Sequence, residues 1–144
     1  MIAVDTNILV YAHRRDSEWH EPAASAVRGL AEGTTAWAIP WPCVHEFLAI
    51  TTHPRVFRPP TPLDAALDQM GAWLESPSLV TLTEDDGYWA TFRAVAAQAL
   101  IDGPRVHDAR VAALCIRHAV REFWTADRDF SRFPALRVRN PLIG

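Results

Sequence analysis

Two aspartates follow short runs that are typical of buried strands. Asp5 comes directly after an apolar run at residues 2–4, and Asp127 lies just beyond a run at residues 122–125. Both runs predict strands, and open α/β sheets bind their ligands at the carboxyl ends of the strands. The simpler interpretation is that each aspartate caps the helix or turn that follows it. The two residues alone leave both interpretations open.

Two further acids fall toward the inward side of predicted helices. Glu46 has Cys43 three residues before it and Ile50 four residues after it, which puts its carboxylate on or beside a buried helix face. Asp108 is followed by apolar residues at the same helical spacings. An unpaired carboxylate in such a place is costly and tends to protonate. The simpler interpretation of Asp108 is that it only complements the start of its helix.

Together the four acids predict a metal site. Carboxylates gathered in one pocket repel one another, and a hard divalent cation removes that repulsion. The donors are all oxygen, without a pair of histidines at ligand spacing, so they favour Mg²⁺ or Mn²⁺ over Zn²⁺. Such sites serve phosphoryl-group chemistry, in which metal ions activate water and neutralise charge on the phosphate. The predicted ligands are Asp5, Glu46, Asp108 and Asp127.

Predicted strands alternate with predicted helices along the chain, and these elements must position the acids. The alternation predicts a single α/β domain with three layers over residues 1–144. A mainly parallel sheet of four or five strands would lie between helices. The predicted strands are 2–4, 36–39, 79–82, 122–125 and a possible edge strand at 136–139. The predicted helices are 8–13, 19–32, 42–51, 63–75, 84–100 and 106–118, with a single turn at 129–133. The proline-rich residues 53–62 cannot be regular structure.

Composition excludes several classes of protein. The net charge is −3 and the pI is about 6.0, which argues against a protein that coats nucleic acids nonspecifically. All 14 basic residues are arginine. Without lysine, a Walker-type phosphate loop and a Schiff-base enzyme are both disfavoured.

The sequence carries no sign of export or of a membrane. Two cysteines make no disulfide framework in a chain of this size. The first apolar run lacks a preceding basic segment and is interrupted by Asp5, unlike a signal peptide. No apolar stretch approaches the roughly 20 residues that cross a bilayer. We therefore expect a cytoplasmic location and no membrane partner.

Two other groups of residues could serve a ligand. Cys43 and His45 suggest zinc, but residues two apart on a helix point to different faces, and a buried cysteine is the simpler interpretation. Four loop arginines could contact an RNA backbone or unstacked bases, or they could simply be solvated. These arginines are Arg14, Arg15, Arg55 and Arg58.

An ordered set of motifs carries a resemblance that covers almost the whole chain. The set comprises VDTNILVYA at residues 4–12, Glu46 after Trp41-Pro42, VHDA at residues 106–109 and WTADRDF at residues 124–130. In this order they resemble the PIN-domain ribonucleases, and among these the VapC toxins of bacterial toxin–antitoxin pairs.

The resemblance implies functional roles by position. Asp5, Glu46, Asp108 and Asp127 match the acidic constellation of the family, with Asp5 and Asp108 as the surest Mg²⁺ ligands. Thr6, Asn7 and Thr125 match the supporting polar positions of the family. Asp129 is expected in a second shell at most, and more as an N-cap than as a ligand.

The resemblance also implies an activity and partners. These are metal-dependent endonucleolytic cleavage of structured RNA, such as tRNA or rRNA, by water, and inhibition by a VapB-type antitoxin. A homodimer is implied as well. Antitoxin arginines could pair with the acidic residues.

Two other function classes remain open. One is a different acid-based phosphohydrolase, such as a nuclease on structured DNA or a small phosphatase. A phosphatase with an Asp5 nucleophile would normally have a second aspartate two residues later, where this chain has Asn7. The other is a non-catalytic interaction module that grips an arginine-rich partner with an acidic pocket.

Overall fold

Five parallel strands form one sheet, in the order β3-β2-β1-β4-β5. The computed structural model describes residues 1–144. The strands are β1 (Ile2–Val4), β2 (Trp37–Pro40), β3 (Leu79–Leu82), β4 (Glu122–Trp124) and β5 (Val138–Arg139). Because β1 is the middle strand, its residues Ala3 and Val4 are completely buried. The parallel α/β sheet that the sequence predicts is confirmed.

Six α-helices cover the sheet. They are α1 (Thr6–His13), α2 (His20–Glu32), α3 (Trp41–Thr51), α4 (Leu63–Leu74), α5 (Tyr88–Ala99) and α6 (Val106–Arg117). Two short 3₁₀ turns, Gly103–Arg105 and Arg128–Arg132, precede α6 and follow β4. By their mutual packing, α1 to α4 form one group and α5 and α6 another. None of the helices is both long and apolar enough to cross a membrane.

The core lies between the sheet and these helices, and its packing orients the site. Phe47 of α3 and Phe123 of β4 are fully buried. Helix α6 buries a face of small residues that includes Ala112 and Cys115. Since small side chains let a helix come close to the sheet, the first turn of α6 is held near the strand ends.

Several element boundaries differ from the prediction. Helix α1 begins at Thr6 rather than at residue 8, because Asp5 already caps it. Helix α5 begins at Tyr88 rather than at residue 84. The acids ahead of it are engaged elsewhere, Glu84 with Arg110 and Asp85 with Arg117. Strand β2 ends one residue later than predicted.

The edge strand is shorter than predicted. β5 contains only Val138–Arg139, although residues 136–139 were expected to be extended. The backbone N–H of Leu136 donates to the carbonyl of Phe133, which makes a turn, and the Leu136 side chain is buried in the core. Apolarity at this position reflects core packing rather than strand pairing.

Candidate active site

Asp5 lies at the junction between the central strand and α1. Its backbone N–H donates to the carbonyl of Trp124 in β4 at 2.9 Å, which extends the sheet pairing by one step. Its side chain caps α1 by accepting the backbone N–H of Thr6 at 2.8 Å. Both interpretations drawn from the sequence therefore apply to Asp5, which is a helix cap and lies at a strand end.

The two carboxylate oxygens of Asp5 are surrounded by donors. Oδ1 accepts from the Thr6 N–H and from the Cys43 thiol, whose sulfur lies 3.6 Å away. Oδ2 accepts from the Thr125 hydroxyl at 2.7 Å and from the Asn7 amide at 3.3 Å. Burial raises the pKa of Asp5 to about 6, although these hydrogen bonds oppose the rise. The carboxylate is thus fixed in place at a cost to its ionisation.

Asn7 and Thr125 join the two strand ends. The Asn7 amide donates to the Thr125 hydroxyl at 3.1 Å, and its oxygen accepts the backbone N–H of Ala126 at 3.1 Å. The Thr125 hydroxyl also accepts the backbone N–H of Asp127 at 3.0 Å. Asn7 and Thr125 thus hold the loop after β4 against the start of α1, and they orient Asp127 relative to Asp5.

Three carboxylates come together beside this junction. The side chains of Asp108, Asp127 and Asp129 offer oxygens that all lie within 4.8 Å of one another. Asp108 stands in the first turn of α6, and Asp127 caps the following 3₁₀ turn by accepting the backbone N–H of Asp129 at 2.9 Å. Burial raises the pKa of Asp108, and repulsion by Asp127 and Asp129 raises it further.

The three carboxylates carry charge that the protein does not compensate by direct pairing. None of them forms an ion pair, since all five ion pairs of the protein lie elsewhere. Arg105 and His107 only moderate the repulsion around Asp108. An all-oxygen donor set with unpaired negative charge suits a hard divalent cation such as Mg²⁺ or Mn²⁺. The donor chemistry therefore fits the predicted metal.

Glu46 approaches the same acids from α3. Burial raises the pKa of its carboxyl, and repulsion by Asp108 and then by Asp127 adds to the rise, while His107 opposes it. Glu46 also contributes to the raised pKa of Asp5. Part of the residue is open to solvent, so its carboxylate lies at the margin of the buried face of α3, where it is only partly shielded from water. The four predicted acids are thus electrostatically coupled.

The structure revises the expectation for Asp129. The sequence placed this residue in a second shell at most and favoured an N-cap role. In the structure Asp127 is the cap, and the side chain of Asp129 joins the group of three carboxylates. Asp129 joins the group because the tight turn after β4 brings the side chains of residues 127 and 129 to the same side. Asp5 and Glu46 lie outside that group.

Comparisons with known proteins identify the family of the chain. The family model described as "PIN domain" matches residues 2–136. The chain belongs to the PIN domain family. It is 33% identical to Ribonuclease VapC43 of Mycobacterium tuberculosis over 144 residues, covering 100% of this chain and 97% of that protein. It is 30% identical to Ribonuclease VapC48 of the same species over 140 residues, 97% of each chain.

Solved structures share the fold at lower identity. VapBC2 from Rickettsia felis, bound to a DNA fragment from its promoter, superposes with a TM-score of 0.70 at 18% identity, covering 97% of this chain and 98% of that chain. VapC20 of Mycobacterium tuberculosis, described as a toxin that cleaves the sarcin-ricin loop, gives a TM-score of 0.63 at 15% identity. It covers 91% of this chain and 93% of that one.

The loop arginines of this PIN domain fall into two kinds. Arg14 is occupied within the molecule: it pairs with Asp16 at 2.7 Å and donates to the Pro59 carbonyl at 3.0 Å and to the Thr61 hydroxyl at 3.2 Å. Its side chain is only 12% exposed. The Arg14 guanidinium therefore ties residues 59–61 to the end of α1, and the RNA contact expected of it stays a prediction.

The other three arginines remain available. Arg15, Arg55 and Arg58 are exposed, and none of them forms an ion pair. Sequence reasoning could not assign Arg14 its role, since its partners Pro59 and Thr61 lie about 45 residues away in the chain.

The zinc interpretation gains no support from the structure, because Cys43 is buried against Asp5 while His45 stacks on Trp41.

Proposed function

We propose that the protein is a metal-dependent endoribonuclease of the VapC type, which cleaves structured RNA such as tRNA or rRNA. The observation that carries the proposal is the group of three unpaired carboxylates, Asp108, Asp127 and Asp129, beside the carboxyl ends of β1 and β4. The names of the full-length relatives, which are ribonucleases, support the same reaction class.

The predicted ligands Asp5, Glu46, Asp108 and Asp127 would hold Mg²⁺, or Mn²⁺ in its place, and Asp129 would join them through the group of three carboxylates. When bound, the metal lowers the pKa of water and neutralises charge on the scissile phosphate. Asp5 stays oriented through its hydrogen bonds with Thr6, Asn7 and Thr125. No side chain of the site is needed as a covalent nucleophile.

Proton transfer falls to a carboxylate of the site. Glu46 or Asp127 would orient the attacking water and accept its proton. The raised pKa of Glu46 supports this role, because a base works best when its pKa approaches the working pH. His107, exposed beside Asp108, would donate a hydrogen bond to the phosphate. The products would carry 5′-phosphate and 3′-hydroxyl ends.

Cleavage assays decide among the function classes. The protein is incubated with total RNA, single-stranded DNA and a phosphomonoester, in Mg²⁺, Mn²⁺ or EDTA, and RNA ends are mapped. We expect RNA cleavage that EDTA abolishes and that Asp127→Asn lowers strongly. Asp68→Asn, which changes an exposed aspartate on α4, is the matched control. Cleavage of DNA or of the monoester alone would favour another phosphohydrolase, and no cleavage would favour an interaction module.

We also propose a VapB-type antitoxin as partner and a homodimer as the assembled state. The unpaired carboxylates support the first, since arginine binds carboxylates bidentately, and the Rickettsia felis neighbour is a VapBC complex. Co-expression with a small neighbouring open reading frame, followed by purification, should recover a complex that does not cleave RNA. Sedimentation of the isolated protein measures its oligomeric state.

A further inference from the structure

An apolar groove begins at the candidate active site and runs along α1. It has a volume of about 230 Å³ and is lined by Asn7, Val10, Tyr11, Ile50, Val56 and Phe57. Asn7 belongs to both places, because its amide donates to Asp5 and to Thr125. A ligand that reaches the acids can therefore extend directly into the groove.

We propose, on the basis of the proposed function, that this groove holds one unstacked nucleobase of the RNA substrate. Its volume is below the roughly 300–1,000 Å³ of pockets that take drug-sized ligands, which suits a single flat ring system. Tyr11 and Phe57 supply aromatic rings, and unpaired RNA bases are bound by stacking on such side chains.

The charges around the groove match a nucleic acid. Val56 and Phe57 are flanked in the chain by Arg55 and Arg58, which are exposed and form no ion pair. No acidic side chain lines the groove. Because these arginines are next to two lining residues in the chain, phosphates on either side of a bound base could pair with them, whereas their like charge disfavours an arginine-rich protein segment.

The aromatic wall is held in place from behind. The guanidinium carbon of Arg14 lies 4.3 Å from the ring centroid of Phe57. The same guanidinium donates hydrogen bonds to the Pro59 carbonyl and to the Thr61 hydroxyl. Phe57 also packs against the core. A ring fixed in this way loses little conformational freedom when a base stacks on it, which favours binding.

The groove would discriminate poorly among bases. Apart from the Tyr11 hydroxyl, the polar side-chain atoms of the lining belong to Asn7, whose amide hydrogens are already used by Asp5 and Thr125 and whose oxygen accepts the backbone N–H of Ala126. Reading the edge of a base needs free donors and acceptors. Selection at this position should therefore follow stacking strength, with purines bound more tightly than pyrimidines.

The test changes the ring and measures base binding separately from cleavage. A phosphorothioate-linked oligoribonucleotide carrying 2-aminopurine is titrated with protein in Mg²⁺, and KM and kcat are measured on cleavable RNA. We expect the wild type to quench the fluorescence of 2-aminopurine. Phe57→Leu should lose the quenching and raise KM on the order of tenfold, with kcat nearly unchanged. Phe57→Trp should keep both properties.

Controls separate this proposal from the proposed function. Trp89→Ala removes an exposed aromatic side chain on α5 and should leave KM and quenching as in the wild type. Melting temperatures establish that Phe57→Leu folds, since leucine keeps the apolar packing. If the wild type cleaves RNA and Phe57→Leu retains KM and quenching, the base-binding proposal is wrong and the groove is left to a protein segment. If the wild type cleaves no RNA, the proposed function itself fails.

Discussion

Asp5 and Asp108 lie near the same edge of the sheet, yet their surroundings differ fundamentally. Both oxygens of Asp5 accept hydrogen bonds, and the residue is 7% exposed. Asp108 accepts no hydrogen bond from the protein, is half-buried, and has the carboxylates of Asp127 and Asp129 as its near neighbours. One carboxylate is fixed by donors, and the other is left with unsatisfied charge.

In the proposed metal site, this difference would separate two tasks. Asp5 holds the strand end, the start of α1 and the loop after β4 in one arrangement, so it fixes the frame of the site. Asp108, Asp127 and Asp129 repel one another within that frame, and their repulsion is relieved only by protons or by a cation. If these oxygens hold a cation, as proposed, they are placed in advance because Asp5 organises the backbone around them.

The largest effect is expected for Asp108→Asn, which removes one charge of the three-carboxylate group. We expect RNA cleavage to fall on the order of 10³-fold, because metal clamps contribute several kcal/mol of transition-state stabilisation. The rise in melting temperature on adding Mg²⁺ should disappear as well. Without metal, the variant should be at least as stable as the wild type, since a repulsive charge is gone. Asp68→Asn is the matched control, and full activity in Asp108→Asn would remove this residue from the site.

A smaller effect, on stability, is expected for Asp5. Its pKa rises from 3.8 to about 6 on folding, so between these values the folded state binds more protons than the unfolded chain, and stability falls as the pH rises. This amounts to about 3 kcal/mol at most. Glu46 and Asp108, whose pKa values are also raised, act in the same direction.

Asp5→Asn tests this effect in the presence of EDTA. Urea unfolding at pH 4 and pH 7.5 should show a fall in stability for the wild type and a clearly smaller fall for Asp5→Asn. Identical pH dependence in both proteins would show that Asp5 ionises without penalty, and the contrast with Asp108 would then be lost.

Asp129→Asn measures whether the third carboxylate belongs with Asp108 and Asp127. The hydrogen bond that caps the 3₁₀ turn uses the backbone N–H of residue 129, so the substitution leaves the turn intact and changes only the side-chain charge. We expect the affinity for Mg²⁺ to fall roughly tenfold, within the range seen when a supporting residue of a metal site is removed. Calorimetric titration measures it, and unchanged affinity would return Asp129 to the periphery.

The sequence predicted the parts of this site that depend on local pattern. Asp5 and Asp127 were found because a short apolar run before an acid indicates a strand end, and Asp108 because helical spacing indicates its face. The parallel sheet followed from the alternation of strands and helices. All three inferences use periodicity within a few residues, which the backbone imposes directly.

Other features depend on contacts between distant residues, and local pattern carries no signal for them. Arg14 looked like a free loop charge, although it bonds residues about 45 positions away. From the sequence, Asp129 was expected to be a cap. The shape of the turn after β4 decides its position instead, and this shape is set by hydrogen bonds of Thr125 and of the distant Asn7. The acids before α5 looked like helix residues, although they pair with arginines of α6.

Arg14 extends the comparison from acids to bases, and Arg14→Gln should have the smallest effect. Arg14 is satisfied within the fold like Asp5, whereas Arg55 and Arg58 are unpaired like the three carboxylates. Losing the hydrogen bonds of Arg14 to Pro59 and Thr61 should cost about 1 kcal/mol of stability and make residues 53–62 more sensitive to proteolysis. Asp16→Asn removes only the exposed ion pair and should change little, since such pairs contribute weakly. Equal destabilisation by both variants would show that the ion pair, rather than the contacts with Pro59 and Thr61, holds this loop.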